Sequence, residues 1–264
     1  MLLAHISDIH FRFPECNGSM DPDRAYRTLL IRDLRERAQI LGNVDAILVT
    51  GDIAYHGYPE EYTAAREWLI QLAEAGGINL EAVFVVPGNH DVDHRVINGD
   101  ASVRNVQGAI AGARTEKREQ ELRTQFMDSG ASRSLLLPIQ AYNDFAKEFE
   151  CQLFPPEQLF WRQTIKLSND ISLCIHGLSS TLLSGAGAAR GEPDSRISLY
   201  LSPLQTALDP GDNIVNLVMC HHPPDWFLDQ DDVEDAMRGR ALVPGGHPNS
   251  PTCGHPKLLH PERA

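Results

Sequence analysis

Four clusters of polar side chains follow four apolar runs of the sequence, and each cluster contains residue types that bind metal ions. The clusters are Asp8-Ile9-His10, Gly51-Asp52, Gly88-Asn89-His90-Asp91 and His221-His222. Their carboxylate, imidazole and amide groups suit Mn²⁺, Fe or Zn²⁺ better than Ca²⁺, which prefers oxygen ligands alone. No cysteine belongs to a cluster, which argues against a zinc site built from thiolates.

Each of these positions also has a common structural explanation. An Asp or Asn that follows a strand is most often a turn or cap residue, and a single His is often a core residue. Four separate strand ends would each need such a residue by accident, so the whole set favours a functional site over four unrelated turns.

The elements that position the clusters are predicted from hydrophobic periodicity. Short apolar runs at 2–6, 46–50, 82–86 and 213–220 predict buried strands, and each ends at one cluster. Amphipathic helices are predicted at 21–41 and 60–75. In the first helix, the apolar residues at helical spacing are Tyr26, Leu29, Leu30, Leu34 and Ala38. Because ligand sites of α/β sheets collect at the carboxyl ends of strands, the four clusters are expected to converge.

Taken in order, Asp-x-His, Gly-Asp, Gly-Asn-His-Asp and His-His-Pro-Pro resemble the motifs of the calcineurin-like metallophosphoesterase superfamily. The resemblance runs from Leu2 to about Pro224 and is closest to nucleotide phosphodiesterases and DNA-repair nucleases. It implies an α/β fold, a four-layer α/β/β/α sandwich of two mixed sheets.

The resemblance also implies a two-metal site. Asp8 and His10 would hold the first ion, Asp52 would bridge both ions, and Asn89 and His221 would hold the second. Two divalent ions of Mn, Fe or Zn, with Mn favoured, would share a bridging hydroxide that attacks phosphorus.

The remaining cluster residues receive other roles from the same resemblance. His90 would assist the leaving group as a catalytic residue, and Asp91 would orient it through a hydrogen bond. His222 would lie close by without binding metal. The expected activity is hydrolysis of a phosphodiester or phosphomonoester, with a nucleotide favoured as substrate.

A segment at 92–150 contains no apolar strand, and we predict a helical insertion or cap there within a domain at 1–240. The alternative is a partly disordered loop around 98–113, where Gly and Ala are frequent. Arg95, Arg104 and Arg114 could meet a substrate phosphate or could be solvated surface charges.

The tail at 241–264 is rich in Pro, His and Gly and predicts irregular structure. The superfamily's final Gly-His-x-His motif is missing, and only Gly246-His247-Pro248 and Gly254-His255-Pro256 come near it. Three interpretations remain open: a truncated or frame-shifted end, a ligand from His247 or His255, or an incomplete site in a weakly active protein. A non-catalytic binding or sensor module with an incomplete metal site is the alternative to an enzyme.

Charge and composition limit the partners. The 264-residue chain has a formal net charge of −13, so nucleic acid is possible as a partner but not favoured, and a nuclease is the second enzymatic candidate. No apolar run reaches the roughly 18–20 residues that span a bilayer. The five cysteines are odd in number and form no close pair, which is typical of a reducing cytoplasm. The cysteines and the lack of a long apolar run predict a soluble, cytoplasmic protein without membrane contact. The sequence indicates no oligomeric state.

Overall fold

Three parallel strands form the first sheet, so their carboxyl ends share one edge. In the computed structural model these are β1 (Leu3–Ile6), β2 (Ala46–Thr50) and β3 (Val83–Val86), in the order β1-β2-β3. The structure describes residues 1–168, 170–187, 194–195, 198–208, 211, 213–238 and 241–242. Every residue of β2 and β3 is buried, as expected for a parallel sheet covered on both faces.

The second sheet is mixed, because its first pair of strands is antiparallel and the next two pairs are parallel. Its strands, in spatial order, are β4 (Trp161–Lys166), β5 (Ser172–Gly177), β6 (Ile214–Met219) and β7 (Ala241–Leu242). The expectation of two mixed sheets therefore holds for the second sheet, whereas the first is parallel throughout the described residues.

Alternation along β6 shows how the two sheets are layered. Leu217 and Met219 belong to the large core that includes β2 and β3, whereas Val218 packs in a smaller cluster with Val233 and Met237. The last two residues lie on α8 (Gln230–Met237). Because side chains alternate between the faces of a strand, the second sheet faces the first on one side and α8 on the other.

Trp161 joins the two sheets directly. Its indole stacks on Phe84 of β3 with ring centroids 5.8 Å apart, and its Nε1–H donates to the Val85 carbonyl at 3.1 Å. Tyr142 donates to the same carbonyl at 3.0 Å. Large aromatic side chains thus fill the space between the sheets while their polar atoms remain hydrogen-bonded.

Two helices pack on the first sheet, and only the second buries the apolar face that its sequence predicts. Helix α2 (Pro59–Gly76) buries its periodic apolar residues Tyr62, Ala65, Leu69 and Leu72. Helix α1 (Arg24–Leu41) is also present, but its single buried residue among those described is Arg27.

The apolar residues that indicated α1 are largely exposed. The exposed fractions are 69% for Tyr26, 53% for Leu29 and 45% for Leu30. Leu34 is partly buried against the main core, as is Ile31. Periodicity therefore identified the helix correctly but overstated how much of its apolar face is buried.

Five helices occupy the segment that was predicted as an insertion, including the stretch that was considered as a loop. They are α3 (His94–Gly99), α4 (Ala101–Gly112), α5 (Thr115–Met127), α6 (Ser129–Leu136) and α7 (Gln140–Ala146). Aspartates cap three of them: the carboxylates of Asp93, Asp100 and Asp128 accept hydrogen bonds from the first-turn amides. The buried side chains of these helices join the main core, so the insertion is packed against the sheets.

The start of the predicted irregular tail is regular, because residues 241 and 242 form β7. Residues 243–264, with His247 and His255, lie outside the described residues. Among the described residues, no helix has both the length and the apolar character needed to cross a membrane.

Replacement of Gly177 by Ala tests the close packing between β5 and Trp161. A Cβ atom at this position would overlap the indole ring, so the free energy of unfolding should fall by about 1–3 kcal/mol, as for overpacked cores. Gly108→Ala is the control, since its Cβ would meet nothing within 4 Å on α4, and stability should rise by about 0.5–1 kcal/mol. Urea denaturation of both variants measures the difference, and equal stabilities would contradict the packing.

Candidate metal centre

The polar clusters that follow β1, β2, β3 and β6 meet at one edge of the two sheets. Ligand atoms of Asp8, Asp52 and His221 all lie within 4.8 Å of one another. Those of His10, Asp52 and His90 form a second group under the same limit. Asp52 belongs to both groups, so its carboxylate lies where one residue can contact two ions.

The two carboxylate oxygens of Asp52 face different imidazoles. Oδ1 is 3.4 Å from His221 Nε2, and Oδ2 is 3.8 Å from His10 Nε2. His10 Nε2 is also 3.9 Å from Asp8 Oδ1. His221 comes from the other sheet, and its Nδ1–H donates to the Thr50 carbonyl at 2.8 Å, which turns Nε2 toward Asp52.

Asn89 lies beside these groups and is held by His222. The Asn89 Oδ1 atom is 3.2 Å from His222 Nε2, and His222 Nδ1 is 2.8 Å from Ser180 Oγ. Trp226 stacks on the other side of the His222 ring, with centroids 5.3 Å apart. His222 thus fixes the side chain of Asn89 and belongs to neither group of candidate ligands that converge on Asp52.

The backbone is strained at three of the candidate ligands. Asp8, His10 and Asp52 have φ angles of 57°, 52° and 54°, in the left-handed region. This conformation costs a residue with a Cβ atom about 1–2 kcal/mol. Backbone hydrogen bonds from Asp8 N to Gly51 O and from His10 N to Asp52 O maintain it, at 3.2 and 3.0 Å. Strain of this kind is typical of functional sites.

The glycines that precede Asp52 and Asn89 are required by close approach. A Cβ atom at Gly51 would lie 2.6 Å from His221 Nδ1, and one at Gly88 would overlap Asp52 Oδ1. Gly51 also has a φ of 86°. The Gly-Asp and Gly-Asn pairs of the sequence therefore let the two strand ends and His221 come together.

Asp91 makes a different contact from the one expected. Its buried carboxylate accepts hydrogen bonds from Gly88 N, Ile53 N, Ala54 N and Tyr62 Oη. With both oxygens engaged in this way, Asp91 does not reach the His90 ring and instead ties the ends of β2 and β3 to α2.

The partner of His90 is a backbone carbonyl that follows β2. His90 Nδ1–H donates to Tyr55 O at 2.9 Å, and the His90 amide donates to Asp52 Oδ1 at 3.0 Å. The imidazole is thereby oriented with Nε2 toward the site.

Burial shifts the pKa values of the site toward the neutral forms. It raises the pKa of Asp52 to about 6 and also raises the pKa of Asp8. Burial, followed by the charges of His90 and His221, lowers the pKa of His10 to about 4. Neutral imidazoles keep a lone pair for a metal ion, and a bound cation would favour the ionised carboxylates.

The chemistry of the donor set fits a divalent metal ion. Asp8 Oδ2 accepts a hydrogen bond from Ser7 Oγ at 2.5 Å, whereas the buried Oδ1 has no hydrogen-bond partner among the described residues. A buried carboxylate oxygen without a partner is costly unless a cation or a water molecule reaches it. Asp8 Oδ1 therefore indicates that a cation or a water molecule binds at the centre of the two residue groups.

A cavity of about 250 Å³ adjoins this centre, and motif reasoning missed most of its wall. Tyr55, His56 and Tyr58 line it together with Asn89, His90, Asp93, His94 and Arg95. The sequence signal for this wall was the run of aromatic residues that begins at Tyr55, three residues after Asp52, and this run matches no fixed motif. Among the three arginines singled out in the insertion, Arg95 lines this cavity, whereas Arg104 donates to backbone carbonyls and Arg114 precedes α5.

A family model for calcineurin-like phosphoesterases matches residues 1–247. The chain belongs to the calcineurin-like phosphoesterase family. This phosphoesterase membership confirms the resemblance that the four motifs indicated.

Two curated relatives match part of the phosphoesterase chain. Over 95 residues it is 39% identical to glycerophosphodiester phosphodiesterase GpdQ of Enterobacter lignolyticus, covering 34% of this chain and 30% of that protein. Over 93 residues it is 34% identical to the uncharacterized metallophosphoesterase-like protein YydB of Bacillus subtilis, covering 33% and 17%. The matched region thus spans less than a third of either relative's length.

Replacement of Asp91 by Asn distinguishes an anchoring role from a role in orienting His90. An amide has one acceptor oxygen and would turn N–H groups toward backbone donors, so the unfolding free energy should fall by about 2–3 kcal/mol. Exposed Asp144→Asn is the control and should change stability by less than about 0.5 kcal/mol. Unchanged stability in the Asp91 variant, measured by urea denaturation, would contradict the anchoring role.

Proposed function

We propose that this phosphoesterase hydrolyses small phosphodiesters or phosphomonoesters, nucleotides among them, with two divalent metal ions. The observation that supports the proposal most is the position of Asp52, whose Oδ2 faces His10, a proposed ligand of one ion, and whose Oδ1 faces His221, a proposed ligand of the other. The similarity to GpdQ, a glycerophosphodiester phosphodiesterase, favours diesters over monoesters for this chain as well.

In this proposal Asp8 and His10 would hold one ion, Asn89 and His221 would hold the other, and Asp52 would be shared. The two close groups divide these residues differently, since Asp8 groups with His221 and His10 groups with His90. When bound, the ions would polarise the phosphoryl oxygens and lower the pKa of water at the site. The chain's own contribution is to hold these side chains in place before substrate binds. The strained strand ends and the two glycines supply that arrangement.

His90 is the proposed proton donor to the leaving group. Its Nδ1–H is engaged by Tyr55 O, so Nε2 is the ring atom that can carry a proton toward the departing oxygen. The cavity beside His90 would receive the leaving group.

The net charge of −13 supports a small substrate over a long nucleic acid, because an acidic surface repels a polyphosphate backbone. The missing Gly-His-x-His motif supports the second candidate, a binding module with the fold but without activity. A variant of Asp52 distinguishes a hydrolase from a binding module.

Replacement of Asp52 by Asn should abolish turnover of bis(4-nitrophenyl) phosphate in the presence of Mn²⁺. Loss of the shared carboxylate should also lower the amount of Mn²⁺ bound per chain, measured by elemental mass spectrometry after desalting. Exposed Asp33→Asn is the matched control and should retain wild-type values. Equal, negligible rates and no bound metal in both wild type and variant would favour the binding module.

Replacement of His90 by Gln should lower kcat by about 100-fold for a diester with an alkoxide leaving group, because general acid catalysis contributes about 10²–10⁴-fold. The loss should be much smaller for a 4-nitrophenolate leaving group, which departs without protonation. Bound Mn²⁺ should remain unchanged. An equal loss with both leaving groups, or loss of metal, would show that His90 is not the proton donor.

A further inference from the structure

Five side chains contact one another in sequence beside the metal centre, and we call them the arginine-tyrosine row: Arg12, Tyr55, His56, Tyr58 and Arg95. His56 meets Tyr55 edge to face and stacks on Tyr58. The Arg12 guanidinium carbon lies 3.7 Å from the Tyr55 ring centroid, and that of Arg95 lies 3.5 Å from Tyr58. Between them, His56 is 4.7 Å from Tyr55 and 4.9 Å from Tyr58. The row therefore ends in a guanidinium group on each side.

A buried glutamate holds the loops that carry the row. The Glu61 side chain has no exposed surface and accepts hydrogen bonds from the amides of Phe13, His56 and Tyr58 at 2.9–3.0 Å. It also lies 3.1 Å from His56 Nδ1. Because Phe13 directly follows Arg12, this one carboxylate links the loop that carries Arg12 to the loop that carries Tyr55, His56 and Tyr58.

The two guanidinium groups of the row differ in their charge partners. Arg95 forms an ion pair with Asp93, with Nη2 and Oδ2 2.7 Å apart. Arg12 has no carboxylate within ion-pair distance in the described part of the chain. The chain has a net charge of −13, so its overall field repels anions. An arginine without a carboxylate partner beside the candidate active site is a local positive charge that attracts them.

Arg12 is also close to the metal centre. The Tyr55 ring lies 5.7 Å from the His10 ring, so the Arg12 guanidinium is at most about 9.4 Å from His10, the sum of the two separations. Burial is the main cause of the lowered pKa of His10, and the Arg12 charge adds to it, which agrees with this proximity.

We propose that Arg12 is a specificity-determining residue that binds a second oxyanion, a carboxylate or a phosphate, on the phosphate ester substrate. This inference rests on the proposed function and narrows its substrate class. A guanidinium held against a ring presents its N–H groups in a fixed plane that matches the two oxygens of such an anion.

Two phosphonates of equal length test the proposal: 3-phosphonopropanoate, which has a terminal carboxylate, and propylphosphonate, which has a methyl group there. Their Kd values are measured by calorimetry on the Mn²⁺-loaded full chain. We expect the wild type to prefer 3-phosphonopropanoate by about tenfold, as one charge-assisted contact allows. The preference should fall below about twofold in Arg12→Gln.

Arg35→Gln is the matched control, because Arg35 is an exposed arginine on α1 far along the chain from the site, and it should retain the wild-type preference. Arg12→Lys keeps the charge without the planar group and should retain part of the preference. Circular dichroism of each variant verifies folding.

The outcomes separate this inference from the proposed function. A wild type that hydrolyses bis(4-nitrophenyl) phosphate but binds both phosphonates equally, or an Arg12→Gln variant with full preference, overturns this inference alone. An Arg12-dependent preference without turnover supports it and overturns hydrolysis. A wild type that binds neither phosphonate overturns both.

Discussion

The site depends on the hydrogen bonds that the buried carboxylate of Asp91 accepts. It accepts hydrogen bonds from the ends of β2 and β3 and from Tyr62 of α2, and it has no exposed surface. Burial raises its pKa to about 6, so the charged form is costly in this position. Hydrogen bonds from the Gly88 and Ala54 amides and from Tyr62 oppose that shift, and they hold the two strand ends in register.

The candidate metal centre combines buried carboxylates, whose charge a bound cation would stabilise, with strained backbone conformations. Asp8 and Asp52 are carboxylates with raised pKa values, and both have left-handed backbone conformations, as does His10. A protein that accepts such strain must stabilise it elsewhere, here in the large core shared by the two sheets. A ligand that binds only the folded state would add to that stability.

The helical insertion serves both the core and the site. Buried residues of α4 to α7, such as Ile110, Leu122 and Tyr142, belong to the same hydrophobic cluster as β2 and β3. Its first turn brings His94 and Arg95 to the cavity beside His90. The insertion is therefore part of the domain's packing, and its first residues join the loops after β1 and β2 around the candidate site.

The sequence alone determined most of the strands and helices, because hydrophobic periodicity is a local signal. The resemblance of the four motifs to a known family singled out Asp8, His10, Asp52, Asn89 and His221 as candidate ligands, and the structure brings Asp8, His10, Asp52 and His221 close together. Local patterns also identified α1 and the helical insertion.

Only the tertiary structure decided which groups touch. Asp91 and His90 are adjacent in sequence, yet Asp91 bonds to other strands and His90 to Tyr55, because three-dimensional packing sets their directions. Periodicity could not show that Tyr26 is exposed, since burial depends on what covers a helix. Likewise, the row from Arg12 to Arg95 joins two loops and an insertion that are distant in sequence. The buried contacts of Glu61 hold its two loops together, and no spacing rule reveals them.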